Sequence, residues 1–383
     1  MRALAIVAIL AGACACSAEA VGQPTTDELH DLPHLPTSGP IDIPLSELGR
    51  LNTGRFFKLD LGPMPPIVVA RTSLVGSPTN FTWRGTIGTN GSVVITSRGG
   101  KAIGTIFTWT RTFRIVRRLG RLEIENVPPA TSRLRERGPE PFRHGARPSK
   151  RSEAGPIRIL VAYTKHAAAE CRDIETVIEH AVELTNDIAE NTRVSTRFEL
   201  ADTYETSYDD TKQGAETVLD AFSGTTDTQM NEVHDLRKQK HADIAILFVA
   251  PEGNRYDGLS AQTTASYDTA FSIVNCRTAL DLFVMPHEIG HLLGLNDDDD
   301  QPDENVFKEG YGHFNKSAKP ANCWRTVMAT PDCTCCRTIP FWSNPSAHYP
   351  TPVDAATGVA GRSDNAYVIG QTAGAISRFE PRP

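Results

Sequence analysis

No cysteine lies between Val21 and Arg151. That stretch can hold no disulfide, and no thiolate of its own can reach a metal ion. Beyond the first twenty residues, no run is apolar for long enough to span a bilayer. No internal repeat is evident, which argues against a solenoid or a propeller. The basic residues of the first half are diluted among strand-forming residues and form no recognition motif, so nucleic acid is not an expected partner.

What is present is a globular composition, 39% hydrophobic and 22% charged, in 383 residues, enough for two ordinary domains. Arg2 is followed by an apolar run from Ala3 to Ala13, and Ala18-Glu19-Ala20 supplies the small-x-small pattern of a cleavage site, so residues 1–20 read as a signal peptide. Two alternatives are a short membrane anchor and a lipoprotein acylated at Cys14, which follows Ala11-Gly12-Ala13. The expected location is extracellular or periplasmic, or the cell surface if Cys14 is lipidated. Cleavage after Ala20 leaves Cys171, Cys276, Cys323, Cys333, Cys335 and Cys336. An even number in an exported chain suggests three disulfides. A structural zinc on Cys323, Cys333, Cys335 and Cys336 is the alternative, although adjacent cysteines are awkward ligands for one ion.

Net charge is −7, but residues 1–151 carry 20 Lys/Arg against 11 Asp/Glu, while residues 152–383 carry 19 against 35. The first part is therefore +9 and the second −16, and the basic part is expected to dock on the acidic one.

Residues 21–50, rich in Pro, Thr and Asp, read as an extended arm. Residues 55–127 read as all-β, with candidate strands at 67–70, 80–85, 92–97, 102–109 and 112–116 and turns at Asn90-Gly91 and Gly99-Gly100. Residues 21–127 thus make a β-rich domain. Residues 128–156 collect prolines and arginines and read as a linker, with Lys150-Arg151 an accessible cleavage point. From Ile157 the texture becomes α/β. Strands are expected at 157–163, 196–201, 243–250 and 270–274, and helices at 170–191, 216–222, 227–240 and 279–295. After Asp297 the chain reads as loop-rich.

The chemistry concentrates in His287-Glu288-Ile289-Gly290-His291-Leu292-Leu293-Gly294-Leu295-Asn296-Asp297. On a helix, His287 and His291 lie one turn apart on one face, so two imidazoles can reach one ion. Glu288 points aside, placed to take a proton from an activated water. Gly294 permits the left-handed turn that ends the helix and returns the chain, so that Asp297 can supply a third ligand. A His-x-x-x-His pair arises by chance about 0.3 times in a chain of this size with 11 His, and an acid after the first His reduces this to about 0.04.

This segment resembles the metzincin zinc metalloprotease signature, His-Glu-x-x-His-x-x-Gly-x-x-His/Asp. The resemblance implies a methionine in a tight turn beneath the metal, for which Met328 in Thr326-Val327-Met328-Ala329-Thr330 is the candidate. Residues 155–383 are similar to the bacterial peptidyl-Asp metallopeptidase-like family, itself similar to the reprolysins, on Gly310-Tyr311-Gly312, on 325–329, on 339–345 and on 361–369. The implied architecture is an α/β (α+β) metzincin-like catalytic domain over 157–383, with a twisted mixed sheet and an active-site helix, preceded by a smaller all-β propeptide-like domain. Where the family more often has His as third ligand, this chain has Asp297, with Asp298, Asp299 and Asp300 beside it; His313 is the competing ligand, and a calcium ion on the acidic run is conceivable.

The resemblance implies a secreted zinc endopeptidase acting on protein or peptide substrates, with one catalytic Zn2+ on His287, His291 and Asp297 and with Glu288 as general base. Substrate would lie extended along an edge strand just after Tyr256-Asp257-Gly258. The family's preference for Asp after the scissile bond would need a cation in the pocket, and Arg325 and Arg337 are the candidates. The β-rich part would be a propeptide partner that inhibits without a thiolate. Competing readings are a zinc amidase on non-protein amides and a non-catalytic zinc-containing binding module, which would have no use for Glu288.

Overall fold

The computed structural model describes residues 34–35, 40–41, 56–59, 67–88, 91–108, 111–118, 121–127, 155–225, 229–254, 256–297, 307–316, 323–330, 337–349 and 354–382. The expected signal peptide, most of the arm, the linker through 154, Asn90, Asp298–Asp300, Cys333, Cys335 and Cys336 lie outside these residues.

The N-terminal part is a nine-stranded sheet. Strands β1 (His34–Leu35), β2 (Pro40–Ile41) and β3 (Phe56–Leu59) are short. Strands β4 (Ile67–Gly76), β5 (Phe81–Thr86), β6 (Ser92–Arg98), β7 (Lys101–Phe107), β8 (Thr112–Arg118) and β9 (Arg121–Val127) form an antiparallel meander. Its order is β1-β3-β4-β5-β6-β7-β8-β9-β2. Alternation drives it: in β5, Phe81, Trp83 and Gly85 are buried while Thr82 and Arg84 face the other way. Gly99 and Gly100 make the expected turn between β6 and β7, both with positive φ (56° and 76°).

The second part is a five-stranded sheet, in the order β11-β10-β12-β14-β13. Strands β10 (Ile157–Thr164), β11 (Phe198–Thr206), β12 (Ile244–Val249) and β14 (Phe271–Asn275) are parallel, and β13 (Gly258–Ser260) closes one edge antiparallel to β14. Every residue of β12 is buried, as a parallel strand covered on both faces requires. The helices are α1 (Lys165–Glu170), α2 (Ile174–Asn191), α3 (Ala215–Ser223), α4 (Asn231–Gln239), α5 (Val284–Leu292) and α6 (Asn365–Ile376). Among the described residues no helix is long and apolar enough to cross a membrane.

Several helix boundaries differ from expectation for local reasons. The helix expected from Glu170 to Asn191 is two: Cys171 leaves the helical path to bond Cys276, and Asp173 takes a left-handed conformation (φ 57°) before α2 begins. The helix expected from Ala279 begins at Val284, because Pro286 fits only within a first turn. The helix expected from Asp227 begins at Asn231, after a left-handed Met230. The tail is not all loop. α6 is capped by Asp364, whose carboxylate accepts from the Tyr367 amide at 3.1 Å, and it buries Val368, Ile369, Ala373 and Ile376.

Helix α2 is buried between the two sheets. One side packs Ile178, Ala181 and Ile188 into the core of the second part. Asn186 clasps the start of β11, accepting from the Phe198 amide at 2.8 Å and donating to its carbonyl at 2.9 Å. The other side meets the N-terminal sheet. Arg84 binds Glu183 at 2.6 Å, Arg98 reaches Glu179 at 2.5 Å and Glu175 at 3.2 Å, and Lys101 reaches Asp173 at 2.5 Å. Arg114 pairs with Asp281, and Phe107 stacks on Phe283 with ring centroids 5.3 Å apart. The basic part therefore lies against the acidic one.

Candidate metal centre

The centre is built on α5. A helix of 3.6 residues per turn puts His287 and His291 on one face, and both side chains are buried. His287 Nδ1 lies 3.0 Å from the Val327 carbonyl oxygen, and His291 Nδ1 lies 3.0 Å from that of Leu295. A carbonyl only accepts, so each Nδ1 carries the proton and each Nε2 presents a lone pair. The two Nε2 atoms are 3.0 Å apart. The chain turns at Gly294 (φ 95°), whose amide bonds the His291 carbonyl, and Asn296 bonds the Gly310 carbonyl, which brings Asp297 back toward the helix. Asp297 Oδ1 stands 3.1 Å from His287 Nε2 and 3.7 Å from His291 Nε2.

Three lone-pair atoms thus converge within 4.8 Å of one another. Protons on both imidazoles would set two cations side by side against one carboxylate, in a buried place where charge is costly. A single divalent cation answers the arrangement better. A tetrahedron with arms of about 2.0 Å has edges of about 3.3 Å, and the observed separations bracket that value. The donor set, two imidazoles and a carboxylate, suits zinc.

Met328 lies beneath this face. It is fully buried in the turn that the Ala329 amide closes on the Thr326 carbonyl, and a Cβ placed on Gly290, between the two histidines, would collide with its sulfur. Glu288, also fully buried, turns toward edge strand β13. Its Oε2 accepts from Ser260 Oγ at 2.6 Å, and its carboxylate lies over Gly258, where a Cβ would strike it.

The other candidates lie elsewhere. Among the described residues the cluster is His287, His291 and Asp297, without His313. His313 packs edge-on against Trp324, and burial lowers its pKa below the ordinary imidazole value. Arg325 is buried and donates from Nε to Thr338 Oγ1 at 3.1 Å. Arg337 donates to the Thr108 carbonyl of the N-terminal sheet at 3.0 Å and stands over the Tyr349 ring, and burial lowers its pKa to about 10. The expected edge strand is β13. Of the six cysteines beyond residue 20, Cys171 and Cys276 form a disulfide. Sequence reasoning missed Ser260 and Ser272, and the only available signal was their place on strands beside the motif. It also missed His180 of α2, which is fully buried and bonded by Thr96 Oγ1 (3.0 Å) and Thr105 Oγ1 (2.8 Å).

With that geometry in view, comparison with known proteins gives consistent findings. Residues 155–342 match the Reprolysin_5 family model, described as metallo-peptidase family M12. The chain is 31% identical over 227 residues to a peptidyl-Asp metalloendopeptidase of Stenotrophomonas maltophilia (strain R551-3), covering 58% of this chain and 52% of that protein. It is 30% identical over 225 residues to the protein of the same name from Xanthomonas campestris pv. campestris, covering 58% and 51%. The match thus spans about half the length of these relatives. Among solved structures, metalloproteinase-II from Bacteroides fragilis overlaps with a TM-score of 0.48 at 11% identity, covering 81% of this chain and 95% of that one.

Proposed function

We propose, on the premise that residues 155–342 form a reprolysin-like domain of metallo-peptidase family M12, that the chain is an exported zinc-dependent endopeptidase with an N-terminal propeptide. The observation that carries the reading is the convergence of His287 Nε2, His291 Nε2 and Asp297 Oδ1, with the buried Glu288 carboxylate on the same helix. Zinc held there would polarise a scissile carbonyl and acidify a water. Glu288 takes the proton from the attacking water and delivers it to the leaving amine. Val327 and Leu295 hold the imidazole tautomers, and Met328 fills the floor. Strand β13 offers backbone groups to an extended peptide, which gives affinity with little demand on sequence.

The disulfide between Cys171 and Cys276 supports export, since such bonds persist in oxidising compartments. The propeptide reading rests on the docking of the N-terminal sheet against α2 and on the Arg337 contact with Thr108, which ties that sheet to the segment after Met328. The relatives named for peptidyl-Asp bonds suggest an acidic residue beside the scissile bond, and Arg337 supplies a cation that Thr108 engages while the sheet is in place.

The test is digestion of an unfolded protein, with fragments identified by mass spectrometry and zinc measured in parallel. Wild type should cut. Glu288→Ala should bind zinc at wild-type stoichiometry and cut at least about a thousandfold more slowly. Wild type that holds zinc, has lost its N-terminal part and leaves the substrate intact would refute the peptidase reading.

A further inference from the structure

We propose that Ser260, backed by Ser272, is a positioning residue that fixes the Glu288 carboxylate for proton transfer, an inference that rests on the peptidase reading. Ser260 Oγ lies 2.6 Å from Glu288 Oε2, 2.8 Å from Ser272 Oγ and 3.0 Å from the Glu288 carbonyl oxygen. Ser260 and Ser272 are register partners across β13 and β14, so their side chains share one face of the sheet, and both are buried.

Hydroxyl protons can be assigned from chemistry. A carboxylate only accepts, so the Ser260 hydrogen is directed at Oε2. The Ser260 oxygen then accepts from Ser272, and each bond polarises the next. The chain of two hydroxyls ends on an ionised oxygen, which makes its last link the strong, short kind. Gly258 and Ser260 stand two residues apart and therefore point to the same face. The glycine leaves room for the carboxylate, and the serine grips it. The Ser260 bond holds the buried Glu288 carboxylate at one oxygen, which keeps the other in a fixed place over Gly258. The grip comes from the same edge strand that is read as the partner of the substrate backbone, so pairing with a peptide stiffens the base's support at the moment of use.

The experiment compares wild type, Ser260→Ala, Ser272→Ala and the double variant, each produced as the full-length chain and then cut within residues 128–154. Readouts are kcat and KM on a peptide substrate, bound zinc, melting temperature, and the position of Glu288 in a crystal structure. Expected for Ser260→Ala is a fall in kcat of about ten- to a hundredfold, the worth of one hydrogen bond to a charged group, with KM within about twofold and zinc unchanged. The Glu288 carboxylate should lose its single position beside Gly258. Ser272→Ala should lose about threefold, and the double variant should be no slower than Ser260→Ala alone, because the two act in series. A Ser260→Ala kcat within about twofold of wild type overturns the proposal, as does loss of zinc in step with kcat. If Ser260→Ala does not fold, Ser272→Ala decides: a selective kcat loss supports the chain of hydroxyls, and an unchanged kcat refutes it. Wild type that holds zinc, has lost its N-terminal part and still does not cut sinks the peptidase reading and this inference with it. Cutting that needs Glu288 but not Ser260 sinks the inference alone.

Discussion

Around the metal centre the decisive residues are often those with the least side chain. Gly258 has neither positive φ nor a turn to make. It is small because the Glu288 carboxylate and Val284 occupy the space a Cβ would need. Gly258→Ala forces either the strand or the carboxylate to move, and the carboxylate is the softer. We expect kcat to fall at least about tenfold with zinc content unchanged, since the atoms nearest a Cβ at that position belong to Glu288 and Val284. Peptide hydrolysis measured beside metal analysis checks this, and equal losses of zinc and activity would point instead to a collapsed site. The convergence of His287, His291 and Asp297 could be read from the sequence because its geometry is local: spacings of four and six residues on a helix and its turn bring the three side chains together. Ser260 could not be read in the same way. Its partners are 12 and 28 positions away, and only strand pairing brings them together. Arg337 was legible as a cation but not as a group directed at Thr108, 229 residues earlier.

At the scale of one element, α2 shows how far periodicity carries and where it fails. Its apolar stripe was plain in Val177, Ile178, Ala181, Leu184 and Ile188, and the helix is there. Its start was missed because a disulfide and a left-handed Asp173 interrupt a sequence that would otherwise continue helical. Its second face was invisible, since that face is polar: the partly buried Glu175, Glu179 and Glu183 and the buried His180 and Asp187, all meeting the N-terminal sheet. His180 accepts a bond from one threonine and donates to the other as a neutral ring. Burial lowers its pKa to about 3, with Arg114 and Arg84 adding to the effect. Undocked and wet, the same ring should titrate near 6.5. The docked state therefore binds fewer protons than the undocked one at any pH between these values. Docking strength is fully present above about pH 6.5 and falls about tenfold per unit as pH drops toward 3. Glu179 and Asp187 lie on the same face beside Arg98 and Arg84, and burial raises both carboxyls above the ordinary range, so their protonation at lower pH opposes this loss. In a chain cut within residues 128–154, dissociation of the N-terminal fragment should be about tenfold easier at pH 5.5 than at pH 7.5. Substituting His180→Gln should flatten that slope. Sedimentation of the nicked complex across the range checks both, and a pH-independent wild type would remove His180 from the account.

Over the whole molecule, the opposite charges of the two parts, +9 over residues 1–151 and −16 over the rest, were the feature most directly translated into structure. Charge balance needs no knowledge of fold, whereas the order of strands does. The ion pairs that join the parts differ in their wetness. Arg84 is 12% exposed and contacts Glu183, while Arg98 is 38% exposed and Lys101 is 52% exposed. Partly exposed pairs contribute about 0.2–1 kcal/mol each and are screened as the Debye length shrinks from about 10 Å at 0.1 M salt to about 3 Å at 1 M. The contacts of Phe107 with Phe283 and of His180 with its threonines are buried and should resist salt. The interface is therefore expected to loosen with salt without coming apart. For the nicked chain at neutral pH, the dissociation constant should rise about tenfold between 0.1 M and 1 M sodium chloride and then level off. Titration calorimetry or sedimentation over that range would show it. A constant that does not change with salt would mean that the paired charges steer the two parts together but do not hold them, and a complex that falls apart by 0.3 M would mean that the buried contacts around His180 and Phe107 contribute little to the junction.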